Sequence, residues 1–323
     1  MRAAVITEFG GPEVLEVREA PTPDPVGDQV RVRVRASALN RADVLQRRGH
    51  YPAPAGAPQN IPGLEFAGEV DAVGKAVTQW NPGQRVFGIC GGGGHAEYVV
   101  VPERTLAEVP GNLDWSGAGA IPEAFITAHD GLWIQAALRP GERVLVNAVG
   151  SGVGLAAVQL IKAIGAEAYG TARTASKLDR AREYGMLDGW QIESGSDLAR
   201  VAARQNFDVV LELAGGEYVA SDLEVLAPRG RLILVGLVAG VQANVNLGLL
   251  LAKRLRIMGT VLRSRPLEEK IQATQAFARE VVPLLARGAL KPTINREFNL
   301  EEIREAHRYM ETNSSAGKIV LHV

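Results

Sequence analysis

The amino-acid sequence predicts an α/β fold: a doubly wound, parallel sheet in one part of the chain and a β-rich, barrel-like domain in another. Three observations carry this reading. From about residue 121, strand-like and helix-like stretches alternate with short turns, the rhythm of a parallel sheet covered on both faces. Before about residue 120, the text is short β-branched runs punctuated by Gly and Pro. At the head of the alternating region, "RVLVNAVGSGVGLAAVQL" (143–160) leads an apolar run into three glycines and then into small and apolar residues.

In chain order, the β-rich part offers the strands "AAVITEF", "QVRVRVRASAL", "AGEVDAVG", "QRVFGI" and "HAEYVVVP". "PTPDP" (21–25) is a rigid connector, and the long Pro-rich loop "GHYPAPAGAPQNIPG" (49–63) has the length of loops that carry function. The alternating part reads as strand "RVLVNAV", helix "GLAAVQLIKAIG", strand "AEAYGTA", helix "SKLDRAREYG", strand "FDVVLELAGG", helix "EYVASDLEVLAP", strand "GRLILVG" and strand "RIMGTVL". After about residue 265 come two helices, from Pro266 to about Gly288 and from about Leu300 to Thr312, the second opened by Asn299 and Glu302 at capping-box spacing. The last strand, "GKIVLHV", needs a partner and is expected to find it in the first domain, making that domain discontinuous.

With 323 residues the chain has room for two domains of the usual ~100–200 residues. The 35 basic and 36 acidic residues are scattered, so neither nucleic acid nor an anionic membrane is indicated as a partner. Cys90 is the only cysteine, which excludes an intrachain disulfide and a cysteine-cluster zinc site. The N-terminal stretch alternates like a strand rather than presenting a signal peptide's apolar core, and a cytoplasmic location is expected.

A strand, a Gly-rich turn and a helix N-terminus form an anion site because unpaired N–H groups and the positive end of the helix dipole face the turn. The spacing here is "GSGVG" (150–154), with Leu155 where a third glycine would complete GxGxxG, so a tight structural turn stands beside dinucleotide binding as a reading. About 20 residues past such a loop an acid would hold an adenosine ribose 2′-OH. That place reads Gly170-Thr171-Ala172-Arg173, followed by Ser176 and Lys177, with no Asp or Glu. Two cations there attract a 2′-phosphate, which favours NADPH over NADH, unless both are only solvated residues at a helix start.

Beyond these readings, the chain resembles the medium-chain dehydrogenase/reductase superfamily, specifically its zinc-free quinone oxidoreductase branch and within it the p53-inducible type. The likeness is carried by residues 37–70, "GGGGHAEYVVVP" (91–102), "AIPEAFITAHDGL" (120–132), "VGSGVGLAAVQLIKAIGA" (149–166), "VLRSRPLEEK" (261–270) and "EAHRYMETNSSAGKIVL" (305–321). The resemblance implies a GroES-like domain at 1–120, a Rossmann domain at 121–265 and a segment, 266–323, that returns to the GroES-like domain. It implies NADPH in an interdomain cleft, a quinone as small-molecule acceptor, and a homodimer. By matching motifs, Ser151, Gly152 and Val153 would bind the pyrophosphate, and Gly170, Arg173 and Lys177 would lie near the 2′-phosphate. Gly215, Gly236, Leu237 and Leu262 would line the adenosine and nicotinamide halves, and Asn40, Thr127 and Lys318 would approach the cofactor. One departure is Ile192, which stands where relatives often carry Tyr or Lys.

Zinc members of the superfamily place a His before the Glu of a "GHE" motif; "PGLEFAG" has Leu64 there and keeps Glu65. The five histidines show no paired spacing, so no metal is expected and Glu65 reads as a structural carboxylate. Hydride transfer then needs positioning and charge stabilisation rather than a strong acid. Tyr51 is the candidate donor to the acceptor oxygen, with a packing wall as its other reading; Asn40 is a second polar candidate, and Asp43 reads as a loop-fixing residue. Cys90 and His95 read as structural. Two other functions compete with a quinone reductase. One is an alkenal or enone double-bond reductase acting on a conjugated carbonyl; the other is a non-enzymatic NADPH-sensing or RNA-binding role, against which the near-neutral charge and 5% aromatics count.

Overall fold

The computed structural model describes residues 1–202 and 205–323. Its strands are, in chain order, β1 (Arg2–Ile6), β2 (Leu15–Glu19), β3 (Gln29–Leu39), β4 (Glu65–Val73), β5 (Arg85–Ile89), β6 (Tyr98–Pro102), β7 (Leu106–Glu108), β8 (Arg143–Val146), β9 (Glu167–Ala172), β10 (Asp188–Gln191), β11 (Phe207–Glu212), β12 (Leu226–Leu234), β13 (Arg256–Gly259), β14 (Ile294–Asn299) and β15 (Lys318–His322). The chain divides into two units. Met1–Ile126 with Leu262–Val323 forms one, and Thr127–Val261 the other.

In the first unit, β3 explains the sheet built around it. Val30, Val32 and Val34 alternate with Arg31, Arg33 and Arg35, so one face is apolar at the period of two that a strand imposes. Those valines pack with Phe66, Val70, Val86, Val99, Val101 and Leu106 in one buried cluster. Each such side chain contributes about 1.5–3 kcal/mol by leaving water. The seven-stranded sheet runs β14-β15-β3-β4-β5-β7, with β6 also paired to β3, and β1 and β2 form a separate hairpin-like pair. The final strand β15 lies antiparallel to β3, with Ile319 opposite Leu39 and Val320 opposite Ala38. This pairing carries Lys318 beside the end of β3.

The expected single helix from Pro266 to Gly288 is two helices, Leu267–Glu280 and Val282–Ala286, which meet at Val281. The cause is Pro283, which has no N–H to donate and whose ring clashes with the carbonyl four residues back; it is tolerated only in the first turn of a new helix. The capping box at Asn299 is present, with the Asn299 N–H bonded to Glu302 Oε2 at 2.8 Å. It opens a short 3₁₀ turn, Leu300–Glu302, ahead of helix Ile303–Glu311.

The second unit is a six-stranded sheet in the order β10-β9-β8-β11-β12-β13, all pairs parallel. Counting from β8 as the first strand this is 3-2-1-4-5-6, the order of a dinucleotide-binding doubly wound sheet. The sequence reading found five of these strands. The sixth, β10, is a four-residue edge strand, "DGWQ", whose composition lacks the β-branched run that signals a strand. The order reverses between β8 and β9 on one side and β11 on the other, and ligands bind such sheets beyond the carboxyl ends of the strands at that point.

Candidate functional site

The glycine turn leaves the end of β8 and enters helix Gly152–Ala163. Ser151 caps that helix, its Oγ accepting the Gly154 N–H at 3.0 Å, so one of the orphan donors of the first turn is satisfied. Gly154 is needed for packing rather than for its dihedrals: a Cβ there would lie 2.4 Å from the Val149 carbonyl oxygen. A Cβ on Gly150 would meet Lys177 Cβ, Cγ and Cδ at 2.7–2.9 Å, so the Lys177 stem runs along the turn. A Cβ on Gly170 would strike Val149 at 2.7 Å. Ser151, Gly152, Val153, Gly170 and Lys177 are therefore gathered at one place.

Arg173 follows the end of β9 with an exposed side chain. Ile192 faces inward, buried in the cluster of Leu145, Phe207 and Val210, and offers no polar group. Gly215 has φ +74°, and a Cβ on it would lie 2.8 Å from the Gly236 carbonyl oxygen and 3.0 Å from Leu237 Cα. Gly215, Gly236 and Leu237 thus stand together beyond the ends of β11 and β12, with Leu237 exposed. Thr127 is buried in helix Pro122–His129.

Sequence reasoning missed Asn147, which is fully buried just past β8. Its Nδ2 donates to Glu212 Oε2 at 2.5 Å and to Asp222 Oδ1 at 2.7 Å, and its Oδ1 accepts from Thr171 Oγ1 at 2.7 Å. Glu212 also accepts the backbone N–H groups of Ala214 and, at 2.7 Å, Gly215. Burial pushes the carboxyls of both Glu212 and Asp222 upward, and for Asp222 the neighbouring Glu212 adds to it. Glu212, through the Ala214 and Gly215 N–H groups, fixes the turn that carries Gly215. Polar side chains inside apolar runs, such as the Asn of "VLVNAV", were the available signal.

In the first unit the centre is Glu65, fully buried at the start of β4. Its Oε1 takes Lys318 Nζ at 2.6 Å and Asn40 Nδ2 at 2.9 Å, and its Oε2 takes the Glu123 backbone N–H at 2.9 Å. Lys318 Nζ completes its coordination with Asn40 Oδ1 at 2.7 Å and the Leu39 carbonyl at 2.9 Å. Glu65 is thus a carboxylate with its oxygens committed, and it joins Asn40 to Lys318. Leu262 is buried at the edge of the same unit.

Beside it lies a row with the look of a hydrolase triad. Ser37 Oγ is 2.9 Å from His95 Nδ1, and His95 Nε2 is 3.7 Å from Asp43 Oδ2. All three side chains are fully buried, and Ser37 donates its proton to the Glu65 carbonyl at 2.7 Å, so no nucleophile is presented. Asp43 accepts the N–H groups of Asn40 at 2.7 Å and Gly63 at 2.9 Å, tying the Pro-rich loop to the helix Arg41–Arg47. Burial would raise the Asp43 carboxyl, but the His95 ring, the Asn40 N–H and His307 outweigh it and hold it at about 2. Gly63 has φ +104°, and a Cβ there would lie 2.4 Å from the His95 backbone nitrogen.

Tyr51 is half-buried in the Pro-rich loop, with the Arg263 guanidinium 5.1 Å from its ring centroid. Arg263 is 4% exposed and has no carboxylate in ion-pair range among the described residues. Its donors go to Gly91 O at 2.9 Å, Tyr51 O at 3.0 Å and Gln46 Oε1 at 2.5 Å, clamping the Gly91–Gly94 turn to the Tyr51 loop. Burial raises the Tyr51 phenol further above its usual value, with Arg263 pulling the other way. Cys90 Sγ donates to Gly63 O at 3.2 Å, and burial pushes the thiol up to about 12, so it is inert. Among the described residues no three His, Cys, Asp or Glu side chains converge as metal ligands.

A 3-2-1-4-5-6 parallel sheet with a capped glycine turn, in a chain that also carries a β-rich unit, is the construction of a nicotinamide-dependent dehydrogenase or reductase. Comparison with known proteins narrows the class. Residues 27–111 match the family described as "Alcohol dehydrogenase GroES-like domain", and residues 192–321 match "Zinc-binding dehydrogenase". A quinone oxidoreductase of Pseudomonas aeruginosa is 35% identical over 97% of this chain and 97% of its own length. The crystal structure of Escherichia coli quinone oxidoreductase complexed with NADPH superposes with a TM-score of 0.87 at 26% identity, covering 100% of both chains. The CurK enoyl reductase structure gives 0.85 at 28% identity over 99% of this chain and 98% of that one. The chain belongs to the quinone oxidoreductase family of medium-chain dehydrogenases/reductases and is an oxidoreductase with a nicotinamide cofactor.

Proposed function

We propose that the protein is an NADPH-dependent quinone reductase that works without a metal. The observation that carries the choice of cofactor is the Lys177 stem lying along Gly150, beside a β9 end that has Arg173 and no acid. A carboxylate at that strand end would favour a ribose hydroxyl; two cations favour a phosphate.

The bound cofactor supplies a hydride from nicotinamide C4; the rest is the work of this chain's side chains. The first-turn N–H groups at Gly152 and Val153, with Ser151, would hold the pyrophosphate, and Lys177 and Arg173 would neutralise the 2′-phosphate. Gly170, Gly215, Gly236, Leu237 and Thr127 would complete the cofactor wall in the parallel-sheet unit. Asn40 and Lys318, fixed by Glu65, form a polar pair within the β-rich unit. Tyr51 offers its phenolic O–H to the acceptor oxygen, and its high pKa keeps that proton in place at neutral pH.

The donor set argues against zinc. Leu64 stands where the zinc-binding relatives carry His, Glu65 spends its oxygens on Lys318, Asn40 and Glu123, and the Cys90 thiol stays protonated. Zinc needs a thiolate or imidazole set that these residues do not form. An enone reductase of the same branch is the second reading, favoured by the likeness to CurK. Homodimer assembly belongs to the same proposal: β13 ends the six-stranded sheet with a free edge, and Ile257 and Leu251 nearby are exposed.

The test is NADPH oxidation followed against ortho-quinones, para-quinones, alkenals and enones. Turnover fastest with a quinone is expected; fastest turnover with enones would establish the second reading, and none with any acceptor would overturn both.

A further inference from the structure

The mechanism leaves the aromatic side chain of Tyr218 unused, although it stands at the rim of the nucleotide crevice. Asn147 fixes the level at which the strands of the parallel sheet end. Its Oδ1 accepts from Thr171 Oγ1 of β9 at 2.7 Å, and its Nδ2 donates to Glu212 Oε2 of β11 at 2.5 Å. Beyond Thr171 come Ala172 and Arg173. Beyond Glu212 comes the Gly215 turn, whose carbonyl accepts the Tyr218 N–H at 3.3 Å at the start of helix Tyr218–Val225. These two rims flank the end of β8, where the strand order reverses and ligands bind such sheets.

The segment after β10 closes the third side. The Ile192 N–H is bonded to the Ala172 carbonyl at 3.0 Å. Three residues on, Gly195 lies so close to the start of helix Tyr218–Val225 that a Cβ on it would be 2.5 Å from the Tyr218 nitrogen and 2.7 Å from its Cα. Contacts therefore run from Ala172 through Ile192 and Gly195 to Tyr218, all inside the unit Thr127–Val261.

The Tyr218 ring is half-buried and packs against the apolar cluster that contains Ile192, Leu198 and Leu223, while its hydroxyl has no hydrogen bond among the described residues. Nearby acids are committed elsewhere. Glu217 Oε1 accepts the Gly195 N–H at 2.9 Å, and Asp197 takes the Ser194 N–H at 3.3 Å and Arg200 at 3.0 Å. Burial raises the Tyr218 phenol and Glu212 adds to it, while Arg173 pulls the other way, as befits a guanidinium on the opposite rim of the same opening. An aromatic ring anchored on one side in an apolar core and open on the other is a stacking platform. A purine suits it, because a base offers its π-face whatever polar groups line its edge.

We propose that Tyr218 holds the adenine end of the cofactor, the purine stacking on the open side of its ring between the ends of β9 and β11. This rests on reading the glycine turn as a dinucleotide site. It does not rest on the choice of NADPH over NADH, because both carry the same base. The labour is divided: Lys177 distinguishes the 2′-phosphate, and Tyr218 grips the part that the two cofactors share.

Dissociation constants for NADPH and NADH, measured by calorimetry, test this, with reduced nicotinamide mononucleotide, which has no adenosine, as the control. Tyr218→Ala should weaken both dinucleotides ~10-fold or more and by the same factor, while kcat/KM for the mononucleotide with one quinone stays as in wild type. Tyr218→Phe keeps the ring and should bind both as wild type does. In wild type with NADH bound, nuclear Overhauser contacts from the Tyr218 ring to adenine H2 or H8 are expected, a readout that needs no variant to fold. Unchanged constants in Tyr218→Ala, a loss confined to NADPH, a loss shared by the mononucleotide, or the absence of those contacts would overturn the assignment. Binding of neither dinucleotide by the wild-type protein would instead overturn the dinucleotide reading, and this inference with it.

Discussion

The glycine turn of the parallel-sheet unit and the Glu65 network of the β-rich unit are both polar constructions, but they are written into the chain in opposite ways. The turn is local: Ser151 caps Gly154 three residues on, and the strand before and helix after are its immediate neighbours. The network is not: Lys318 reaches Asn40 across 278 positions, Asn40 reaches Glu65 across 25 and Glu123 reaches Glu65 across 58. A local motif can lose one contact and keep its shape. A network closed through a single buried ion pair has no such reserve, and the two should respond differently to substitution.

The largest effect is expected in the network. Lys318→Met leaves the Glu65 carboxylate buried without its cation and should cost about 3–5 kcal/mol in urea or thermal unfolding. A loss under ~1 kcal/mol would show that the network relaxes as easily as the turn.

Acid and alkali should sharpen the comparison next. His307 is held down to about 3, chiefly by burial, against an ordinary value near 6.5, so the stability it contributes is present above about 6.5 and lost as pH falls toward 3. Asp43, at about 2, contributes stability present above about 4 and lost as pH falls through 2. Glu123 has the reverse sign: its pKa, raised to about 8, gives stability that is full below about 4.5 and lost as pH rises through 8. The urea midpoint should therefore be broadest between about pH 4.5 and 6.5 and fall on both sides, with Glu123→Gln lessening the alkaline fall. The buried pair Glu212 and Asp222, also raised, keeps part of that fall in the variant.

The contrast between the two regions also says what the sequence could yield. The doubly wound sheet, the glycine turn and the acid-free end of β9 were legible because each depends on residues near one another in the chain. β10 was not, because a four-residue edge strand with one half-buried Trp carries no apolar run. The break at Val281 was overlooked although Pro283 announced it. Asn40, Tyr51 and Lys318 were singled out through the family resemblance, yet nothing in their spacing foretold that Glu65 joins two of them.

Two smaller effects follow. Tyr51→Phe removes one hydrogen-bond donor to the acceptor oxygen and should lower kcat/KM about 10-fold. Unchanged turnover would reduce Tyr51 to a packing wall over Arg263. In the turn, Ser151→Ala deletes a helix cap and should cost about 1 kcal/mol, the smallest effect of the series.

The most direct test of the account is the ratio of kcat/KM for NADPH to that for NADH, measured with one quinone in wild type and in Lys177→Ala. A wild-type ratio well above one that falls ~10-fold or more in the variant, through the NADPH value alone, is the expected result. A wild-type preference for NADH, or a ratio untouched by the loss of Lys177, would contradict it.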